Sequence, residues 1–107
     1  MKHIKTYEVV GNRSTERPQI YDYVLCEEYY SGDNRLDEFI KNNIGKVVGY
    51  GDFDYIYKCK YDNIPYQMNS NYFNNIGIRS IRLQDIKEFS SDKEDLKLIL
   101  KSKQYNL

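Results

Sequence analysis

The chain has 107 residues and a formal net charge of +0 from 16 Lys+Arg and 16 Asp+Glu, a length that fits one domain spanning residues 1–107. With 40% hydrophobic and 15% aromatic residues it is too apolar for a disordered chain, while 30% charge and a mean hydropathy of -0.79 leave a small core that relies on aromatic rings. The balanced charge argues against a generally basic nucleic-acid binder or a polybasic membrane peptide, since both need a surplus of one sign.

Lys, Asn, Ile and Tyr supply 44 residues and alanine is absent. All four have AT-rich codons, so coding bias accounts for much of the tyrosine excess. Cys26 and Cys59 stand far apart with no Cys-x-x-Cys spacing, which excludes a zinc ribbon or a thioredoxin-type motif and leaves two reduced thiols. Met1 to Thr6 holds no apolar run suited to a signal peptide, and no segment approaches the roughly 20 apolar residues of a membrane span. A soluble, cytoplasmic protein is the expectation.

Along the chain, Ile4 to Val10 is rich in β-branched and aromatic residues and stops at Gly11-Asn12, which predicts a strand and a turn. Pro18 closes the next loop, and Ile20 to Glu27 reads as a second strand. Leu36, Phe39 and Ile40 share one helical face, predicting a helix over Arg35 to Asn43 with Asp33 or Asn34 as its N-cap and Gly45 as its left-handed terminator.

Phe53, Tyr55, Tyr57, Cys59 and Tyr61 then alternate with mostly polar residues, a strand with one aromatic, inward face. Lys46 to Tyr50 pairs with it as a hairpin turning at Tyr50 to Asp52. Asn63 to Gly77 reads as a long loop, in which Pro65 opens a single helical turn that buries Tyr66, Met68, Tyr72 or Phe73. Ile78 to Leu83 and Ile86 to Phe89 complete the strands. Ser91-Asp92-Lys93-Glu94 matches a capping box with Ser91 as cap, opening a C-terminal helix whose apolar face is Leu96, Ile99 and Leu100.

This order predicts an α+β fold: a small curved antiparallel sheet or SH3-like barrel with an inserted short helix and a C-terminal helix. Pro18 to Phe89 resembles an SH3-like barrel in its Tyr-Asp-Tyr-Val-Leu-Cys-Glu strand, Ile44-Gly45-Lys46-Val47-Val48, the Tyr-Ile-Tyr-Lys-Cys-Lys-Tyr strand and the ending Ile81-Arg82-Leu83-Gln84-Asp85-Ile86. The helix at Leu36 departs from that pattern.

For chemistry the sequence offers little. His3 is the only histidine and stands at a terminus, no glycine-rich phosphate loop opens a helix, and carboxylate pairs such as Glu27-Glu28 lack a partner signal. The expectation is a protein that is not an enzyme and holds no metal or cofactor.

Two binding constellations remain. Asp22, Glu27, Glu28, Asp33, Asp37 and Glu38 surround the single cation Arg35, with Tyr29 and Tyr30 between them. Glu27, Glu28, Tyr29, Tyr30 and Asp33 are thereby the candidate protein-binding residues, suited to a basic groove on a partner, including one that ordinarily holds nucleic acid. The alternative is a small nucleic-acid-binding module using Arg79, Arg82 and tyrosines such as Tyr55 or Tyr57 for stacking.

The alanine-free, Lys/Asn/Tyr-rich composition, the stretch Ser91-Asp92-Lys93-Glu94-Asp95-Leu96 and the ending Tyr105-Asn106-Leu107 resemble small accessory proteins of bacteriophages and prophages, including anti-CRISPR and other anti-defence proteins. That resemblance implies a stoichiometric inhibitor or adaptor acting on a host protein, and carries over no site residues.

Overall fold

The computed structural model describes residues 17–105 and, before them, the strand backbone at Lys5–Thr6 (β1), Val9–Val10 (β2) and Asn12–Arg13 (β3). The remainder of the predicted Ile4 to Val10 strand, and His3, lie outside the described residues. β2 and β3 pair antiparallel, Val9 opposite Arg13 and Val10 opposite Asn12; Gly11 lies outside the described residues.

The other strands are Tyr23–Leu25 (β4), Gly45–Tyr50 (β5), Ile56–Lys60 (β6), Ile78–Arg82 (β7) and Glu88–Ser90 (β8), and the helices are Asn34–Lys41 (α1), Tyr66–Tyr72 (α2) and Lys93–Tyr105 (α3). The fold is α+β. One antiparallel sheet runs β1-β8-β4-β5-β6-β7. β1 and β7 are its two edges and do not pair with each other, so the sheet stays open and the SH3-like closure is absent. Among the described residues no helix is long and apolar enough to cross a membrane.

The two faces of the sheet are finished differently. Val24, Val47, Tyr57, Cys59, Ile81 and Phe89 point to the inner face, where Leu36 and Ile40 of α1, Met68 of α2 and Phe73 just beyond it complete the core. On β4, Leu25 points the other way and is buried, as is Leu96 of α3. α3 contacts β8 and β4. The outer side of β5, β6 and β7 shows the exposed side chains of Lys58, Lys60, Ser80 and Arg82.

α1 starts as the sequence predicts: Asp33 in extended backbone accepts a hydrogen bond from the Leu36 amide at 3.1 Å. It ends earlier, at Asn42, and Gly45 is a strand residue rather than a helix terminator. What Gly45 supplies is room, because a Cβ there would stand 2.6 Å from Cζ of the Tyr61 ring. The second strand shrinks to Tyr23–Leu25 because Ile20 and Tyr21 form a turn.

The aromatic face is shorter than its period of two suggests. The β5–β6 connection takes residues 51 to 55, closed by Gly51 N–H to Ile56 C=O at 2.9 Å and Ile56 N–H to Phe53 C=O at 3.0 Å. Pairing shifts register between Val47 and Gly49, a bulge. Tyr57, Cys59 and Tyr61 are buried as expected, whereas Phe53 and Tyr55 lie in the connection with 60% and 48% of their surface exposed.

Asn63 to Gly77 is not a loop but holds the two-turn helix α2. Pro65 precedes it, which costs nothing because a first-turn amide has no helical acceptor. Asn74 and Asn75 end it at φ 55 and 63, values asparagine tolerates. The Asn69 side-chain oxygen accepts from the Gly77 amide at 3.0 Å. Met68 and Phe73 are buried, Tyr72 is half-buried and Tyr66 is exposed.

The start of α3 moves by one residue. Asp92 Oδ1 accepts from the Glu94 amide at 3.0 Å, while Ser90 Oγ accepts from the Asp92 amide at 3.0 Å and donates to Asp95 Oδ2 at 2.7 Å. Ser91 is exposed. Asp92→Ala is therefore expected to cost about 1 kcal/mol in denaturant unfolding, within the usual range for a lost cap. Ser91→Ala leaves the midpoint in place, and the reverse order would restore Ser91 as the cap.

Candidate functional site

The fold disperses the acidic constellation. Glu27 pairs through Oε1 with Lys103 Nζ and is mostly covered. Glu28 Oε1 stands 3.4 Å from Lys87 Nζ at the surface. Tyr29 is a core residue whose hydroxyl accepts from Arg79 Nε at 3.0 Å, while Tyr30 points to solvent. Asp33 caps α1 and also accepts from the Tyr72 hydroxyl at 2.6 Å; the Tyr72 hydrogen bond, then the Leu36 amide, hold its carboxyl below the usual range. Asp37 is buried, accepting from Ser31 N at 2.8 Å and Ser31 Oγ at 2.5 Å. Of the five candidate residues, Glu28 and Tyr30 alone are fully displayed.

The cations of the alternative reading are also engaged. Arg79 is half-buried, donates to Tyr29 and to the Tyr72 carbonyl at 3.2 Å, and lies 5.7 Å from the Tyr72 ring. It ties β7 to α2 and to the loop before α1. Arg82 pairs with Asp85 at 3.2 Å. Tyr57 faces the core, and Tyr55 lies at the Arg82 end of β7, its carbonyl accepting from the Leu83 amide at 2.8 Å, while Arg79 stands opposite Cys59.

What the structure does bring together is an aromatic and acidic tip on the β5–β6 hairpin. The Phe53 and Tyr55 rings stack at 5.5 Å and 13°, and Tyr50 leans on Tyr57 at 5.7 Å with about half its surface free. Asp52 and Asp54 are exposed between them, with no cation partner among the described residues. Pro18 and Arg17 border a cleft of about 390 Å³ beside these rings, and Arg17 Nη1 donates to the Asp54 carbonyl at 3.4 Å. The sequence carries the signal, in that Tyr50-Gly51-Asp52-Phe53-Asp54-Tyr55 mixes turn formers with rings. Alternation assigns those rings to the core instead.

Neither thiol suits nucleophilic chemistry. Burial pushes the Cys26 thiol up to about 12 and the Cys59 thiol higher still, so both are protonated at neutral pH. Among the described residues no group of three or more His, Cys, Asp or Glu is placed to hold a metal ion. In comparisons with known proteins, no family model matches the chain, and no curated protein or solved structure matches it. The site is therefore read from its own chemistry.

Proposed function

We propose that the protein is a non-catalytic protein-binding module whose contact surface is the hairpin tip at Tyr50, Asp52, Phe53, Asp54 and Tyr55, docked on a partner groove with a basic rim. The observation that carries this reading is that the rings of Tyr50, Phe53 and Tyr55, each about half exposed or more, gather on one hairpin beside the exposed carboxylates of Asp52 and Asp54. Stiff aromatic anchors dominate binding energy at interfaces, and free carboxylates beside them select a positively charged surround. The tip unites the aromatic and acidic chemistry that the sequence seeks in Glu27 to Asp33. A stoichiometric inhibitor or adaptor of a host protein, the role implied by the bacteriophage-like composition, requires no more than such a surface.

The test is affinity capture from host lysate. A single stoichiometric partner is expected, bound at least about 30-fold more weakly by Phe53→Ser/Tyr55→Ser, since one deleted anchor alone typically costs that much. Glu28→Lys/Tyr30→Ser is expected to leave the complex intact. Unchanged capture by the first variant and loss with the second would return the contact to the acidic loop.

A further inference from the structure

We infer that the outer face of the sheet carries a second binding site, a lysine–tyrosine groove that takes the phosphates and a base of a single-stranded nucleic acid. Lys46 and Lys60 are direct cross-strand partners in β5 and β6, so both side chains leave the same face. Like charges directly opposite destabilise a sheet, so this pair works against the fold. Lys93, at the start of α3, lines the same groove of about 310 Å³ and adds a third ammonium. Asp62 is the carboxylate that lines it, and none of the ion pairs among the described residues involves Lys46, Lys60 or Lys93. A concentration of unneutralised positive charge in a concave site calls for an anionic occupant.

Two rings stand within reach of that charge. Lys46 Nζ lies 5.3 Å from the Tyr21 ring and 5.5 Å from the Tyr23 ring, and Lys93 Nζ lies 6.0 Å from the latter. Tyr21 is 66% exposed and sits at φ 76, in the left-handed region that costs a tyrosine backbone strain. Its amide donates to the Val47 carbonyl at 2.7 Å, so β5 fixes the strained residue in place. That geometry holds an exposed ring beside the ammonium groups. Lys58, opposite the bare Gly49 and two residues from Lys60 on β6, continues the positive track along the sheet.

Ammonium groups that neutralise a backbone, next to an aromatic face open for stacking, are the two elements of sequence-tolerant single-strand binding. An acidic protein segment would satisfy the lysines and leave the Tyr21 ring unused, which decides for the nucleic acid. Zero net charge does not oppose this, because the cations are concentrated on one face.

The experiment titrates the full chain with fluorescent oligothymidylate and oligouridylate of about ten nucleotides, within the usual length of single-strand sites. With three phosphates engaged, affinity is expected to fall about 20-fold between 50 and 200 mM salt. Lys46→Gln/Lys60→Gln is expected to remove most of that salt dependence and, by relieving the like-charge pair, to melt no lower than the parent. Tyr21→Ala is expected to weaken binding about tenfold through lost stacking. Phe53→Ser/Tyr55→Ser retains the oligonucleotide, which keeps this result separate from the hairpin contact. No binding, or binding and salt slope unchanged in the double lysine variant, would overturn the assignment. Equal affinity for polyglutamate would replace it with an acidic protein segment, and equal affinity for a nucleoside triphosphate would replace it with a free nucleotide.

Discussion

Phe73→Ala is expected to lower the unfolding free energy by about 3–5 kcal/mol, the usual cost of deleting a fully buried phenylalanine. Phe73 has no exposed surface and meets two other rings edge-on, Tyr61 at 5.8 Å and Phe39 at 5.9 Å, while Phe39 and Tyr61 stand 6.0 Å apart. The three rings come from α1, the end of β6 and the end of α2. Removing Phe73 opens a cavity between them, and each lost aromatic pair adds about 0.5–1.5 kcal/mol to the transfer cost. For a domain with a total stability of about 5–15 kcal/mol this leaves little in reserve. Urea unfolding followed by circular dichroism measures it. A loss below about 1 kcal/mol would detach Phe73 from the core and return Asn63 to Gly77 to a surface loop.

The stake in that variant is a segment whose sequence shows one helical turn and its candidate anchors but not the full helix. Asparagine is a poor helix former, and four asparagines between Asn69 and Asn75 outweigh the two buried anchors, Met68 and Phe73, in any local reading. Tertiary burial of those two anchors decides the outcome, with Asn74 and Asn75 serving as left-handed terminators. α1 and its Asp33 cap were legible because cap, apolar face and length agree locally. The α3 cap shifted from Ser91 to Asp92 because Ser90 and Asp95 bond each other, a contact across five residues that a four-residue motif does not contain.

The candidate surfaces were less legible for a related reason. Whether a tyrosine anchors a partner or the core depends on which side of the chain it leaves. Tyr29 and Tyr30 are neighbours with opposite fates, one bonded to Arg79 and the other in solvent. Phe53 and Tyr55 continue a period of two that the backbone abandons at the hairpin. The Lys46–Lys60 opposition is a property of strand register, and 14 residues separate its members in sequence.

Stability is also expected to fall by about 2 kcal/mol as pH rises from 5 to 8, and Glu88→Gln is expected to abolish most of that decline. Glu88 lies on β8 opposite Leu25, and its Oε2 is buried with no hydrogen-bond partner. Burial, reinforced by the neighbouring Glu27 carboxylate and opposed by the Lys103 ammonium, raises its pKa to about 7 from an ordinary 4.5. Between those two values the folded chain binds a proton that the unfolded chain has released. Stability from this group is therefore full below 4.5 and is lost as pH climbs through 7. The whole shift corresponds to about 3 kcal/mol, which solvent access to the pair reduces to about 2. Asp33 runs in the opposite sense, its contribution disappearing only as pH falls below the ordinary carboxylate range, so the two effects do not overlap. Thermal melts at pH 5 and pH 8 measure the difference. A parent as stable at pH 8 as at pH 5, or a Glu88→Gln variant with an undiminished decline, would place the proton elsewhere. The same geometry assigns Glu27 its role: its carboxylate neutralises Lys103 beside Glu88 and holds the end of α3 to the sheet, so Glu27→Lys would set two ammonium groups together and loosen that helix.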